Sequence, residues 1–162
     1  MSDDGTSADT AAQPSAIRAS AGPFRGPPGH TGAMIENPRT GEQVEVVAAS
    51  PELLVMRTTW SRPGHRAIEH IHPIMEERFE VLEGRAAFRV DGIPIEASPG
   101  SVVTAPPGRR HLAWNPTDGP VVLRIEMRPA LRWVEFTTRF FAGEDPIALL
   151  AEFADEVVLP PD

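Results

Sequence analysis

Residues 64–84 read GHRAIEHIHPIMEERFEVLEG, and residues 100–115 read GSVVTAPPGRRHLAWN. The first stretch supplies His70, His72 and Glu77, and the second supplies His111. The whole chain of 162 residues has only five histidines, and these three fall with Glu77 in two short segments. Imidazole nitrogens and a carboxylate oxygen together make a first coordination shell for a divalent transition metal.

Strand periodicity decides whether these groups can meet. Along a β-strand, side chains at i and i+2 lie on one face, about 6.6 Å apart. His70 and His72 therefore point the same way, with Arg66 and Ile68 extending that face backwards and Glu69 and Ile71 on the other. Pro73 follows at once; it holds His72 extended, ends ladder donation and lets the chain turn. In the next segment Glu77, Phe79 and Val81 share one face, and Arg78, Glu80 and Leu82 share the other. A carboxylate on an apolar face is costly to desolvate unless a cation or hydrogen bonds offset it. His111 has the parity of Ala113 and Asn115, opposite Leu112 and Trp114, which leaves it free to converge on the same place. An HxH pair alone would not specify a metal, since an isolated histidine on an apolar face is more often a satisfied core or surface residue.

Outward from these segments, the chain from Pro38 to Arg128 alternates short apolar runs with turn signals, the signature of an antiparallel barrel or sandwich. The pattern predicts strands over Gln43–Ala48, Glu52–Trp60, Arg66–His72, Glu77–Leu82, Arg85–Val90, Ile93–Ala97, Ser101–Ala105, Arg110–Trp114 and Val121–Arg128. Asp91-Gly92 is the strongest hairpin signal between them. After Pro129 the period lengthens, and Leu131, Val134, Glu135 and Thr138, with Phe136, Phe140 and Phe141, predict a helix closed near Gly143. Asp145-Pro146 opens a second helix, with Ile147, Leu150, Ala154 and Val157 as its apolar stripe; both helices are expected to cover the outside of the β-domain. Residues 1–32, rich in Ala, Ser, Gly, Pro and Asp, read as a flexible arm, or as one lying across a neighbouring subunit. The organisation expected is thus an arm over 1–32, a barrel over 33–128 and a helical extension over 129–162.

Composition narrows the chemistry. The net charge is −8, which argues against nucleic acid or an anionic membrane surface as a partner. No apolar run reaches the roughly 18 to 20 residues of a membrane span, and the acidic start MSDDGTSADTAAQ lacks signal-peptide features, so a cytoplasmic location is expected. There is no Cys, Tyr or Lys. That excludes disulfides, thiolate nucleophiles, sulfur-ligated metals and Schiff-base chemistry. Acid, base and ligand roles fall to His, Asp, Glu or a bound metal.

The full spacing is more specific than any one pair. Gly64 is followed by five residues, HxH, four residues, Glu77, six residues and Gly84; Gly100 is followed by five residues, Pro106-x-Gly108, two residues, His111, three residues and Asn115. This resembles both signature motifs of the cupin superfamily, and HIHPIMEERFEVLEG is especially similar to single-domain bacterial cupins. The resemblance spans roughly Pro38 to Arg128. It implies an all-β fold, a double-stranded β-helix or jelly-roll barrel, with two short C-terminal helices packed outside. It also implies one divalent transition metal held by His70, His72, Glu77 and His111, with Fe(II) favoured and Zn, Ni or Mn as alternatives. Glu76 competes as a ligand because the motif tolerates three or four residues after HxH; parity with Phe79 and Val81 prefers Glu77.

Ile68, Phe79, Val81, Phe88, Ile125 and Met127 are candidates for a largely apolar substrate wall, although core packing is the default for any one of them. His30 and His65 belong to neither motif and are expected at the surface. Arg109 and Arg110 are expected to be solvated loop residues, with a substrate carboxylate as the alternative. Trp60 and Trp114 are either subunit-interface anchors or packed under the C-terminal helices. By resemblance the protein is expected to be a homodimer acting on a small molecule, first as an Fe(II)-type dioxygenase in which Glu77 is both ligand and base. The alternatives are a non-redox cyclase, isomerase or decarboxylase using the metal as a Lewis acid, such as a polyketide cyclase, and a non-catalytic binding module.

Overall fold

The computed structural model describes residues 31–161. The expected arm lies outside the described residues apart from its last two, as does His30. Those two are tied to the domain: Thr31 Oγ1 donates to the Val46 carbonyl at 2.7 Å, and Gly32 N donates to the same oxygen at 3.1 Å.

Ten strands and two helices follow: β1 Ala33–Glu36, β2 Glu42–Ala49, β3 Leu54–Trp60, β4 His70–Ile71, β5 Glu76–Glu83, β6 Ala86–Val90, β7 Ile93–Ala97, β8 Val102–Ala105, β9 Arg110–Trp114, β10 Val121–Arg128, α1 Trp133–Phe141 and α2 Pro146–Glu152. They form a six-stranded sheet in the order β1-β2-β3-β10-β5-β8 and a four-stranded sheet in the order β4-β9-β6-β7. All pairings are antiparallel. The inner faces of the two sheets share one core, in which Phe79 of β5 meets Phe88 of β6 with ring centroids 5.0 Å apart.

Alternation explains the layers. On β5, Glu77, Phe79 and Val81 are buried while Arg78, Glu80 and Leu82 are half-buried on the outer side. On the outer face of the six-stranded sheet, Glu126 is surrounded by Arg78, Arg124 and Arg128, which compensates a carboxylate otherwise taken out of water. Asp91 and Gly92 both have positive φ, 49° and 81°, and turn β6 into β7 as the Asp-Gly pair requires. Gly84, between β5 and β6, has φ +77° and lies so close to Pro120 that an added Cβ would sit 2.3 Å from its carbonyl oxygen. No larger residue fits there without moving backbone.

Three expectations are corrected. The strand predicted over Arg66–His72 is regular only at His70–Ile71; upstream it is a looser extended edge held by the Arg66–Trp114 bridge and by Ala67 N donating to the Ala113 carbonyl. Between the Arg66–Trp114 and His70–His111 pairs this edge has three residues against two on β9, an irregularity that interrupts the ladder. β1 was not anticipated, because AMIE is too short to show a period. In α2 the buried face is Leu149, continued by Phe153 and Val157 against Phe136; of the predicted stripe Val157 is buried and Leu150 packs half-buried on this cluster, while Ile147 and Ala154 do not. Asp145 caps the Ile147 N–H and fixes the phase of a seven-residue helix, so the bulky Phe153 goes inward, while Ile147 is 78% exposed and Ala154 faces solvent. The two helices lie outside the barrel, as expected. Among the described residues no helix is long and apolar enough to cross a membrane.

Candidate metal centre

Register brings the four ligand candidates together. β4 pairs with β9 so that His70 stands opposite His111, and Glu77 projects from β5 in the facing sheet. His72 follows β4, its carbonyl held by the Gly108 N–H at 2.8 Å. Donor atoms of His70, His72, Glu77 and His111 all lie within 4.8 Å of one another. Glu77 Oε2 is 2.9 Å from His111 Nε2, 3.2 Å from His72 Nε2 and 3.9 Å from His70 Nε2, and the Nε2 atoms of His70 and His72 are 3.2 Å apart. His72, Glu77 and His111 are buried, and His70 is partly exposed.

The orientation of each ring is set from behind. His70 Nδ1 donates to the Ile68 carbonyl at 2.7 Å, His111 Nδ1 to the Arg109 carbonyl at 3.0 Å, and His72 Nδ1 to the Glu156 carbonyl at 2.5 Å. Each backbone acceptor places the imidazole proton on Nδ1 and turns the Nε2 lone pair inward, the arrangement of metal-ligating histidines. Burial, then His111 and His72, push the His70 imidazole down to about 4, so it is neutral at pH 7. Burial alone would lift the Glu77 carboxyl, but hydrogen bonds with His111 and His72 outweigh it and hold the group well below the usual carboxylate range. For His111 burial works downward, and the bond to Glu77 outweighs it and raises the imidazole. Several acceptor atoms facing one another in so small a volume need a cation between them, and a nitrogen-rich set with one carboxylate suits Fe, Ni, Mn or Zn.

A cavity of about 650 Å³ opens beside this cluster, within the range of small-molecule sites. His70, Glu77 and His111 are in its wall, with Phe79 and Ile125 on the barrel side and Ile68 at the rim. Val81, Phe88 and Met127, anticipated as wall residues, do not reach it; they are at most 1% exposed in the packed core behind. Glu76 is half-buried outside the cluster, so the carboxylate in place is that of Glu77. Arg109 is exposed and ion-paired with Asp91, and neither it nor the exposed Arg110 lines the cavity; Arg109 contributes its backbone carbonyl to His111 instead.

Several residues of this site were not anticipated. On α1, Trp133, Phe136 and Phe140 stack in a row, with centroids 5.0 and 5.7 Å apart, and line the cavity. Trp133 also stands edge-on to His72 at 4.7 Å. Their spacing of three and four residues was visible as an apolar helix face, but not what that face covers. His65, expected at the surface, has a side chain only 6% exposed and stacks on Trp60 at 5.0 Å. Trp60 is buried in the cavity wall and is therefore neither a subunit-interface anchor nor a support for the helices. Trp114 lies half-buried under the Arg66 guanidinium, away from α1 and α2.

A family model described as "Cupin domain" matches residues 61–127. No curated protein matches the chain. Among solved structures, an RmlC-like cupin from Shewanella frigidimarina is 22% identical with a TM-score of 0.57, covering 65% of this chain and 91% of that one. KdgF from Halomonas sp. is 23% identical with a TM-score of 0.53, covering 58% and 85%. A structure from Silicibacter pomeroyi described as a sugar phosphate isomerase from a cupin superfamily is 22% identical with a TM-score of 0.50, covering 54% and 59%. At these identities the likeness shows the shared barrel, and with the family match and the two motifs in register the conclusion follows: residues 61–127 of the chain form a cupin domain.

Proposed function

We propose that this protein is a metal-dependent oxygenase acting on a small, largely hydrophobic or aromatic molecule. One observation carries the reading: three Nε2 lone pairs and one ionised carboxylate converge, with His70, Glu77 and His111 in the wall of a cavity otherwise lined mainly by apolar and aromatic side chains and His72 buried beside them. His70, His72, Glu77 and His111 would hold a divalent metal, Fe(II) first, which would supply Lewis acidity and dioxygen chemistry. The backbone carbonyls behind the rings keep that shell in place without rearrangement. The aromatic row of α1 and the wall of Phe79 and Ile125 bind and orient a flat ligand and exclude water. Glu77 contacts the imidazoles through Oε2, and its Oε1 takes the proton of a substrate hydroxyl.

A Lewis-acid cyclase or isomerase is the competing reading. The Silicibacter structure carries the name of a sugar phosphate isomerase; Arg39 and Arg66 in the cavity wall are the cations such a ligand would need, but most of the lining, Trp133, Phe136 and Phe140 included, is apolar and favours an aromatic body. The test is turnover of hydroxylated aromatics by the Fe(II)-loaded chain in an oxygen electrode, matched by the same assay under strict anaerobiosis. Stoichiometric oxygen consumption with conversion supports the oxygenase. Conversion at an undiminished rate without oxygen overturns it in favour of the Lewis-acid reading.

A further inference from the structure

The cavity has a second polar group that the metal centre does not use. Glu42, at the start of β2, stands opposite Trp60 of β3. Its Oε1 accepts from Trp60 Nε1 at 3.0 Å, and its Oε2 faces His65 Nε2 at 3.6 Å. His65 lies over Trp60 with the ring planes 26° apart. Both Glu42 and His65 line the same cavity as His70, Glu77 and His111.

The two groups stand at opposite ends. Residues 65–70 run alongside β9, with Asn115 N donating to the His65 carbonyl, Ala67 N to the Ala113 carbonyl, and His70 opposite His111. With Arg66 opposite Trp114 and His70 opposite His111, the stretch between them spans three residues of β9, about 10 Å. The rest of the wall is mainly apolar, with Thr58 and Arg66 among its polar residues.

A carboxylate in such a wall is unfavourable unless both oxygens are engaged. Trp60 satisfies Oε1. The 3.6 Å gap between Oε2 and His65 Nε2 is too long for a hydrogen bond, yet a single hydroxyl oxygen can donate to the first and accept from the second. Burial raises the Glu42 carboxyl against the bond from Trp60, with a further upward contribution from Glu77, as expected of an under-compensated carboxylate. Burial also lowers His65, so its ring is neutral and able to donate one proton.

The geometry points to Glu42 and His65 as the recognition site for a hydroxyl at the far end of a flat aromatic ligand whose other end lies at the metal ligands. This rests on the cavity being the substrate site of the metal centre, and it adds the substrate class: a polycyclic aromatic with hydroxyls at both ends. Length selection follows from the spacing of the two polar ends, and planarity from the aromatic walls.

The test uses the full chain loaded with Zn(II), which is redox-inert, titrated with 2,6-dihydroxynaphthalene and with 2-naphthol and followed by tryptophan fluorescence. The wild type is expected to bind the diol about tenfold more tightly, and Glu42→Gln to narrow the preference to about threefold or less. Gln keeps an acceptor for Trp60, so a purely structural Glu42 would leave the preference unchanged, and that result overturns the assignment. His65→Phe keeps the ring stacked on Trp60 and removes the nitrogens; it is expected to narrow the preference as well, and full retention removes His65 from the site. Zinc content is measured on each protein. A wild type without zinc fails the metal centre itself, whereas a wild type with one zinc per chain and no preference for the diol fails only the far-end site.

Discussion

The two ends of the cavity are built on opposite plans. At the metal end each imidazole is held from behind by a backbone carbonyl, and three rings and a carboxylate meet within 4.8 Å. At the far end Glu42 and His65 lean on one indole, and among the described residues His65, 3.6 Å away, is what faces the second carboxylate oxygen. The first end is preorganised for a small ion of fixed coordination demands; the second is left under-satisfied for a group that arrives with the ligand. Rigid support belongs where reacting atoms must be placed, and unmet bonding capacity where one molecule is to be chosen over another.

The sharpest way to break the comparison is to remove a ligand. His111→Ala deletes both an Nε2 donor and the partner of Glu77, and it is expected to lower metal affinity by at least about a thousandfold, read as metal content after dialysis. Stoichiometric metal in both His111→Ala and His70→Ala would dissolve the metal end as described. A smaller effect is expected from behind the shell. Val158 N donates to the Ile71 carbonyl at 2.9 Å and Ile71 N to the Val158 carbonyl at 2.9 Å, which seats Glu156 over His72. Val158→Pro removes one of those donors and is expected to weaken metal binding about 10- to 100-fold with the fold intact by circular dichroism. Unchanged affinity would mean that the ring needs no pin.

The smallest effect separates the two ends by sign. Burial places the folded-state pKa of Glu42 above its ordinary value of 4.5, so the folded protein holds that proton more tightly than the unfolded chain does. Stability is therefore lowered at pH values above the folded pKa, and the penalty fades as the pH falls towards 4.5. Glu42→Gln is expected to raise the urea midpoint modestly at pH 7, with the gain vanishing near the ordinary carboxylate value. At the metal end the signs differ between partners. The metal-free His70 imidazole, held at about 4, stays neutral in the folded state while the unfolded one charges below 6.5, so it loses stability as pH falls between those values. A Glu42→Gln variant less stable than wild type at pH 7 would make Glu42 a structural brace and erase the contrast.

The metal end was almost wholly legible in the sequence, because its four side chains lie in two continuous segments where period-two parity fixes facing, and because Glu77 over Glu76 follows from Phe79 and Val81 alone. What holds those side chains was not legible. The acceptors for His70, His111 and His72 are backbone carbonyls of Ile68, Arg109 and Glu156, and a carbonyl leaves no mark on residue identity. The far end was hidden for a different reason. Glu42 and His65 come from separate segments, and only the β2–β3 register and the turn of the β4 edge bring them to one indole. Likewise the wall residues divided by depth: Phe79 and Ile125 reach the cavity while Val81 and Met127 pack behind it, a difference of sheet curvature that alternation does not encode.

The anchor of His72 lies 84 residues after it in the chain. When the chain is made from its N-terminus, the barrel segments and all four ligand side chains emerge before the segment that orients one of them. The coordination shell is therefore completed by a segment made after all four ligands, and a chain stopped or clipped before residue 156 retains every ligand but lacks the carbonyl that orients His72.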